Sequence, residues 1–177
     1  MQHFIKRSNR GSAMLEFTLM GVPMIFIWIS IVQMSCGMWN YDVLQNAVKA
    51  TGNYISVHGA DCASTGNSCT INVGNVISTF KTYAIGIPSS SVNMTLTSAS
   101  GTTVTCNPIT SCSSSTTTWP PTADAAVGKD IEIRADYTFR TGLSMVAPGG
   151  SGVVKFGTSA GYGVFDFPGY THQRILF

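Results

Sequence analysis

Charge is scarce in this sequence: acidic and basic side chains make up 10% of its 177 residues and nearly cancel, leaving a formal net charge of +2. A nucleic-acid surface needs a basic patch and a disordered acidic tail needs a block of one sign, so neither is expected. Histidine is rarer still, with three in all, and His3 lies in the N-terminal leader, apart from His58 and His172. Phosphate loops, nucleophile elbows and zinc-binding helix motifs are missing from the sequence. Asp124, Asp130, Glu132, Asp136 and Asp166 read as solvated loop and strand-face residues. The expectation is a chain without catalysis, cofactor or metal.

What is present begins with a long uncharged apolar run, Phe17–Met38. It exceeds the roughly 20 residues that cross a hydrocarbon core. Lys6, Arg7 and Arg10 precede it and no comparable basic cluster follows, which places the N-terminus in the cytoplasm and the bulk of the chain outside. A cleavable secretory signal would have a shorter apolar region. A lipoprotein signal is disfavoured by Gln33-Met34-Ser35 before Cys36. Three regions result: a basic leader 1–11, a transmembrane helix with an amphipathic outward extension 12–60, and an extracytoplasmic α+β domain 61–177. At 177 residues the length suits one membrane helix and one small domain.

Helical periodicity continues beyond the apolar run. Val43, Leu44, Ala47, Val48, Tyr54 and Ile55 recur at three- and four-residue steps, while Asn40, Asp42, Gln45, Asn46, Lys49 and Asn53 fall between them. One helix from Ser12 to about Ser56 is expected, with Pro23 and Gly52 as possible bends. A second helix is expected over Val73–Ile85, capped by Asn72 and ended by Gly86 and Pro88. Strands are expected at Val92–Ala99, Thr102–Cys106, Ile131–Arg140, Val153–Gly157 and Gly161–Phe167. In Ile131–Arg140 the apolar and polar residues alternate without a break, as in an antiparallel strand with one wet face. The fold class is therefore α+β, with helices covering one face of an antiparallel sheet.

Cysteine usage fits an oxidising compartment. Cys36 falls in or beside the apolar run, leaving Cys62, Cys69, Cys106 and Cys112 as an even set. Pairing Cys62 with Cys69 and Cys106 with Cys112 closes two small loops, although four cysteines allow three connectivities. Zinc is the weaker reading because no Cys-x-x-Cys pair exists. Ser30, Gln33, Gly37 and Asn40 form a small and polar stripe on one side of the long helix, suited either to docking another membrane helix or to an ordinary tertiary contact. Tyr162, Phe165, Phe167 and Tyr170 suit a binding surface or, more simply, a core.

The leader carries the sharpest pattern. Basic residues, then Gly11-Ser12, then Glu16-Phe17 at the head of an apolar helix, resemble the processing site of type IV pilin-like proteins. The longer string Arg10-Gly11-Ser12-Ala13-Met14-Leu15-Glu16-Phe17-Thr18-Leu19, then Pro23 and Ala47-Val48-Lys49-Ala50-Thr51, resembles the TadE-like pseudopilins of tight-adherence pili over about the first third of the chain. Thr18 stands where that family often has alanine, and Ser12 is not the aromatic first residue of common type IV pilins.

The resemblance implies cleavage between Gly11 and Ser12 by a prepilin peptidase, with Glu16 fifth in the trimmed chain. It also implies lateral packing with other pilin-like subunits, inner-membrane pilus assembly proteins and lipid, and a role in pilus assembly and adhesion. The location implied is the bacterial inner membrane with a periplasmic domain, or an extracellular pilus that incorporates it. Independently of any family, an amine freed on Ser12 would lie one helical turn, about 6 Å, from Glu16 and would be its natural counter-charge. An uncleaved single-pass anchor displaying a binding module, with Glu16 snorkelling to the interface, is the alternative.

Overall fold

The computed structural model describes residues 10–59, 69, 71–141 and 164–176, with side chains of the first stretch from Met14 onward. The chain is α+β and divides into two compact units, Met1–Cys36 and Gly37–Phe177. Helix α1 runs Arg10–Ser56 without interruption, with Pro23 inside it, so neither Pro23 nor Gly52 breaks the helix. In the first unit its side chains are almost all exposed, with Phe17 at 80% and Trp28 at 62%. The most apolar part of α1 has a mean hydropathy of 2.0 and none of it is buried by the chain itself. α1 is thus long and apolar enough to span a membrane.

The second unit has one core. Helix α2, Val73–Tyr83, buries Val73, Val76, Ile77 and Phe80 on one face. Its N-terminus is held as expected: Asn75 N–H donates to Asn72 Oδ1 at 2.9 Å. The next orphan donors of that turn are also satisfied, Val73 N–H by Thr117 O at 2.9 Å and Gly74 N–H by Ser115 O at 3.0 Å. The helix stops at Tyr83 rather than Ile85, with Ala84 as its C-cap and Gly86 beyond it at φ +85°. Ala84 N–H still donates to Phe80 O at 2.9 Å, so the final turn closes one residue past the helix.

Four antiparallel strands, β1 Val92–Thr97, β2 Thr103–Cys106, β3 Asp130–Arg140 and β4 Val164–Arg174, form a sheet of order β2-β1-β3-β4. Alternation decides the faces. Val92, Met94 and Leu96 of β1 and Ile131, Ile133, Ala135 and Tyr137 of β3 are buried, and join Leu44, Ala47, Val48 and Ile55 of α1 and the apolar face of α2. At roughly 1.5–3 kcal/mol for each fully buried aliphatic side chain, this cluster is the main source of the domain's stability.

One strand differs from the sequence expectation. β4 continues through Pro168-Gly169 to Arg174 instead of ending at Phe167. Proline is admissible there because β4 is the outer strand among the described residues, and Gln45 Nε2 donates to Pro168 O at 3.1 Å. The expected strand Val153–Gly157 and the start of Gly161–Phe167 lie outside the described residues.

The outer part of α1 lies along β4 in the same direction. A Cβ on Gly37 would meet Phe167 Cζ at 3.6 Å, one on Gly169 would meet Leu44 Cγ at 3.1 Å, and one on Gly52 would meet Gln173 Cγ at 2.7 Å. Leu176 N–H then donates to Ser56 O at 2.9 Å. Helix and strand approach closely at 52 and 169, where an added Cβ would press on Gln173 and Thr171 or on Leu44 and Val48.

Candidate functional site

At the head of the apolar helix, Glu16 and Phe17 are exposed and, with Met20, Gly21 and Met24, line a shallow recess of about 400 Å³ on α1. The missing side chain of Gly21 leaves room there, with Phe17 Cζ 3.8 Å from where its Cβ would stand. Thr18 Oγ1 donates to Met14 O at 2.9 Å, so this polar residue is satisfied within its own helix. The backbones of Gly11 and Ser12 belong to α1, while their side chains and the leader before Arg10 lie outside the described residues. With α1 beginning at Arg10, Glu16 sits beyond the first turn, which holds no acid.

The stripe Ser30, Gln33, Gly37 and Asn40 has a mixed environment. Ser30 is exposed and its hydroxyl donates to Phe26 O at 2.8 Å; Gln33 and Asn40 are half-buried. Gly37 is buried beneath the chain's own Phe139 and Phe167. Gly37 thus faces the chain's own rings within the second unit, with room for a methyl group at ordinary contact distance.

That contact belongs to an aromatic cluster that the sequence reading did not assemble. Tyr41 meets Phe167 edge-on at 5.9 Å between centroids, Phe139 stacks on Phe167 at 6.0 Å, and Phe165 stacks on Phe167 at 6.5 Å. Spacings of 4.5–7 Å are those of favourable ring pairs. The signal was present in Phe139 at the end of one alternating strand and in Phe165 and Phe167, but nothing in the sequence linked them to Gly37 and Tyr41.

The opposite end of the sheet is charged. Arg174 Nε donates to Asp130 Oδ1 at 2.9 Å, and His172 Nε2 stands 3.9 Å from Glu132 Oε2. Arg134 binds Asp136 on the same wet face at 3.0 Å. The Arg174 guanidinium holds the Asp130 carboxyl below its usual range. These are exposed pairs, screened by solvent and salt.

Asp124 departs from the expectation of a solvated acid. It is buried, and it accepts hydrogen bonds from Ser100 Oγ at 2.5 Å and Ser98 Oγ at 2.6 Å. Those two hydroxyls, Ser100 first, keep its carboxyl below the ordinary carboxylate range, against the opposing effect of desolvation. Asp124 thereby ties the β1–β2 turn, where Gly101 adopts φ +83°, to the loop before β3.

Cys106 and Cys112 form a disulfide, as expected from their spacing. Cys69 is disulfide-bonded, its expected partner Cys62 lies outside the described residues, and Cys36 is free and exposed. Among the described residues no three His, Cys, Asp or Glu side chains converge to hold a metal ion. No protein family, curated protein or solved structure matches this chain.

Proposed function

We propose that this chain is a pseudopilin of a tight-adherence pilus system, a structural subunit without catalytic activity. In this reading α1 inserts into the bacterial inner membrane with its N-terminus in the cytoplasm and the second unit in the periplasm. A prepilin peptidase trims the chain between Gly11 and Ser12. The trimmed helix then packs with other pilin-like subunits and inner-membrane assembly proteins, and the domain takes part in assembly and adhesion, at the pilus base or within the filament.

The observation that carries the reading is the five-residue spacing from Gly11 to Glu16 at the head of an uncharged apolar run. An acid placed in hydrocarbon costs roughly 2.5–3.5 kcal/mol at a helix centre, so such a residue calls for a partner. Trimming creates a positive amine on Ser12 a single turn from Glu16, a counter-charge matched to the carboxylate. Within one subunit the amine offsets the carboxylate; between subunits the same pair sets the register of helix against helix.

Intact mass tests the first step. Expressed with an active prepilin peptidase, the protein loses the mass of Met1–Gly11; expressed with an inactive peptidase, it keeps that segment. Retention of the leader with the active enzyme overturns the proposal and leaves a single-pass anchor displaying a binding module.

A further inference from the structure

Hydroxyl side chains crowd one stretch of the second unit. Every residue from 111 to 118 except Cys112 is serine or threonine, with Pro108 before the stretch and Pro120 and Pro121 after it. No charged residue occurs between 107 and 122. Such a composition belongs to segments that carry sugars on their hydroxyls, and equally to plain polar loops. What each hydroxyl is bonded to separates the two.

From residue 113 the chain leaves the 3₁₀ turn Ile109–Cys112 and runs without helix or strand to a single bridge between Thr118 and Asn72. Both ends are pinned. The Cys106–Cys112 disulfide and buried Ile109 hold the start, and Trp119, 1% exposed, holds the end. The backbone between them faces α2, since Ser115 O accepts from Gly74 N–H and Thr117 O from Val73 N–H. Three hydroxyls are engaged: Ser111 Oγ donates to Pro108 O at 2.8 Å, Ser113 Oγ accepts from Lys81 Nζ at 2.8 Å, and Ser115 Oγ accepts from Thr117 N–H at 3.4 Å. Those of Ser114, Thr116, Thr117 and Thr118 make no hydrogen bond among the described residues, and all four residues are exposed. Elsewhere exposed hydroxyls are turned inward, as on α2, where Ser78, Thr79 and Thr82 donate to carbonyls of their own helix.

We propose that Ser114, Thr116, Thr117 and Thr118 form an acceptor site for O-linked sugar, with a glycosyl diphosphate as donor. In the transfer a hydroxyl oxygen attacks the anomeric carbon and forms the glycosidic bond. The bond from that carbon to the diphosphate oxygen breaks, the diphosphate leaves with the electron pair, and the hydroxyl proton passes to a base on the transferase. A transferase must reach its acceptor, and here the backbone is fixed at both ends while the four side chains stand in water. Phosphoryl transfer to the same hydroxyls fits worse. A phosphate is stabilised by arginine or by open N–H groups at a helix start. This segment has no charge of its own, and the N–H groups of Val73, Gly74 and Asn75 are already taken by Thr117 O, Ser115 O and Asn72 Oδ1. A neutral sugar needs neither. The site does not depend on the pilus reading or on where α1 resides.

The test is the intact mass of the full chain purified from its native host, disulfides oxidised, followed by electron-transfer fragmentation of the peptide that contains residues 113–118. Once any loss of Met1–Gly11 is allowed for, the expected mass exceeds that of the sequence by whole sugar residues, and fragmentation places them on one or more of the four hydroxyls. In a second chain carrying Ser114→Ala, Thr116→Val, Thr117→Val and Thr118→Val, that excess is lost while the urea midpoint shows a folded domain. Should this variant fail to fold, the mapping on the natural chain decides by itself. A natural chain with no excess overturns the proposal, as does an excess absent from these four residues or one made of phosphate. The leader is read separately in the same spectrum, so failure of the sugar site leaves the trimming proposal intact, and the reverse holds too.

Discussion

Gly169 and Gly37 look alike in the sequence and differ in what they tolerate. A Cβ at 169 would stand 3.1 Å from Leu44 Cγ and 3.2 Å from Val48 Cγ2, whereas one at 37 would meet ring carbons at ordinary contact distance, 3.6 and 3.7 Å. Gly169→Val should therefore lower the stability of the domain by about 1–3 kcal/mol through overpacking. Gly37→Ala should be neutral or stabilising by up to about 1 kcal/mol, since alanine is the better helix former. Urea unfolding of the detergent-solubilised chain, followed by near-ultraviolet circular dichroism, separates the two. The small-residue stripe revealed that something approaches the helix at 37 but not that the approaching group is the chain's own Phe167. Asp124 was illegible for the same reason: a lone acid in a polar stretch gives no sign of the Ser98 and Ser100 hydroxyls that the β1–β2 turn brings to it. Because its carboxyl is held below the ordinary range, the unfolded chain takes up that proton first as pH falls. The contribution of Asp124 is complete above the ordinary carboxylate pKa of about 3.9 and is lost progressively below it. Asp130 shifts the same way through exposed Arg174, and salt screens that pair far more than a buried one. At high ionic strength, Asp124→Asn should leave a less stable protein with a flatter acid limb in its unfolding midpoint against pH.

Elements were legible where one local signal sufficed. α2 was set by its apolar periodicity and its Asn72 cap, and β3 by strict alternation, because each needs only its own residues to declare a buried face. β4 was cut short because Pro168-Gly169 reads as a turn, and only its place at the sheet edge among the described residues, under α1, lets the strand run on. Spacing favoured the Cys106–Cys112 pair without excluding the crossed pairings, and the bond closes a loop with sequence separation 6 between the end of β2 and the 3₁₀ turn Ile109–Cys112. Loop-closure entropy for so short a ring is about 2 kcal/mol in the chain-entropy model. Replacing both cysteines with serine should lower the unfolding free energy by about that amount without changing the strand content, as read by urea unfolding and far-ultraviolet circular dichroism. The loss should reach the whole domain, because this turn packs its Ile109 into the core and its neighbours Ser115 and Thr117 receive the first N–H groups of α2.

For the molecule as a whole, the proposed assembly role and the folding of the domain rest on different residues. The core that stabilises the domain lies within Gly37–Phe177, while Glu16 and Phe17 lie in the exposed apolar part of α1 and contribute nothing to that core. A change at Glu16 can therefore be scored for assembly without confusion from the domain's stability. Glu16→Gln keeps the size and hydrogen-bonding capacity of the side chain and removes its charge. If the carboxylate answers an amine freed on Ser12, the neutral residue inserts in the membrane at no greater cost, yet no longer draws a neighbour's terminus to it. The expected outcome in a piliated host is unchanged membrane insertion, unchanged leader removal by intact mass, an unchanged urea midpoint for the domain, and a loss of surface pili and of crosslinked subunit pairs. Full piliation by the Gln variant, with trimming intact, would show that the charge does not set the register and that subunit packing rests on the apolar and small residues of α1 alone.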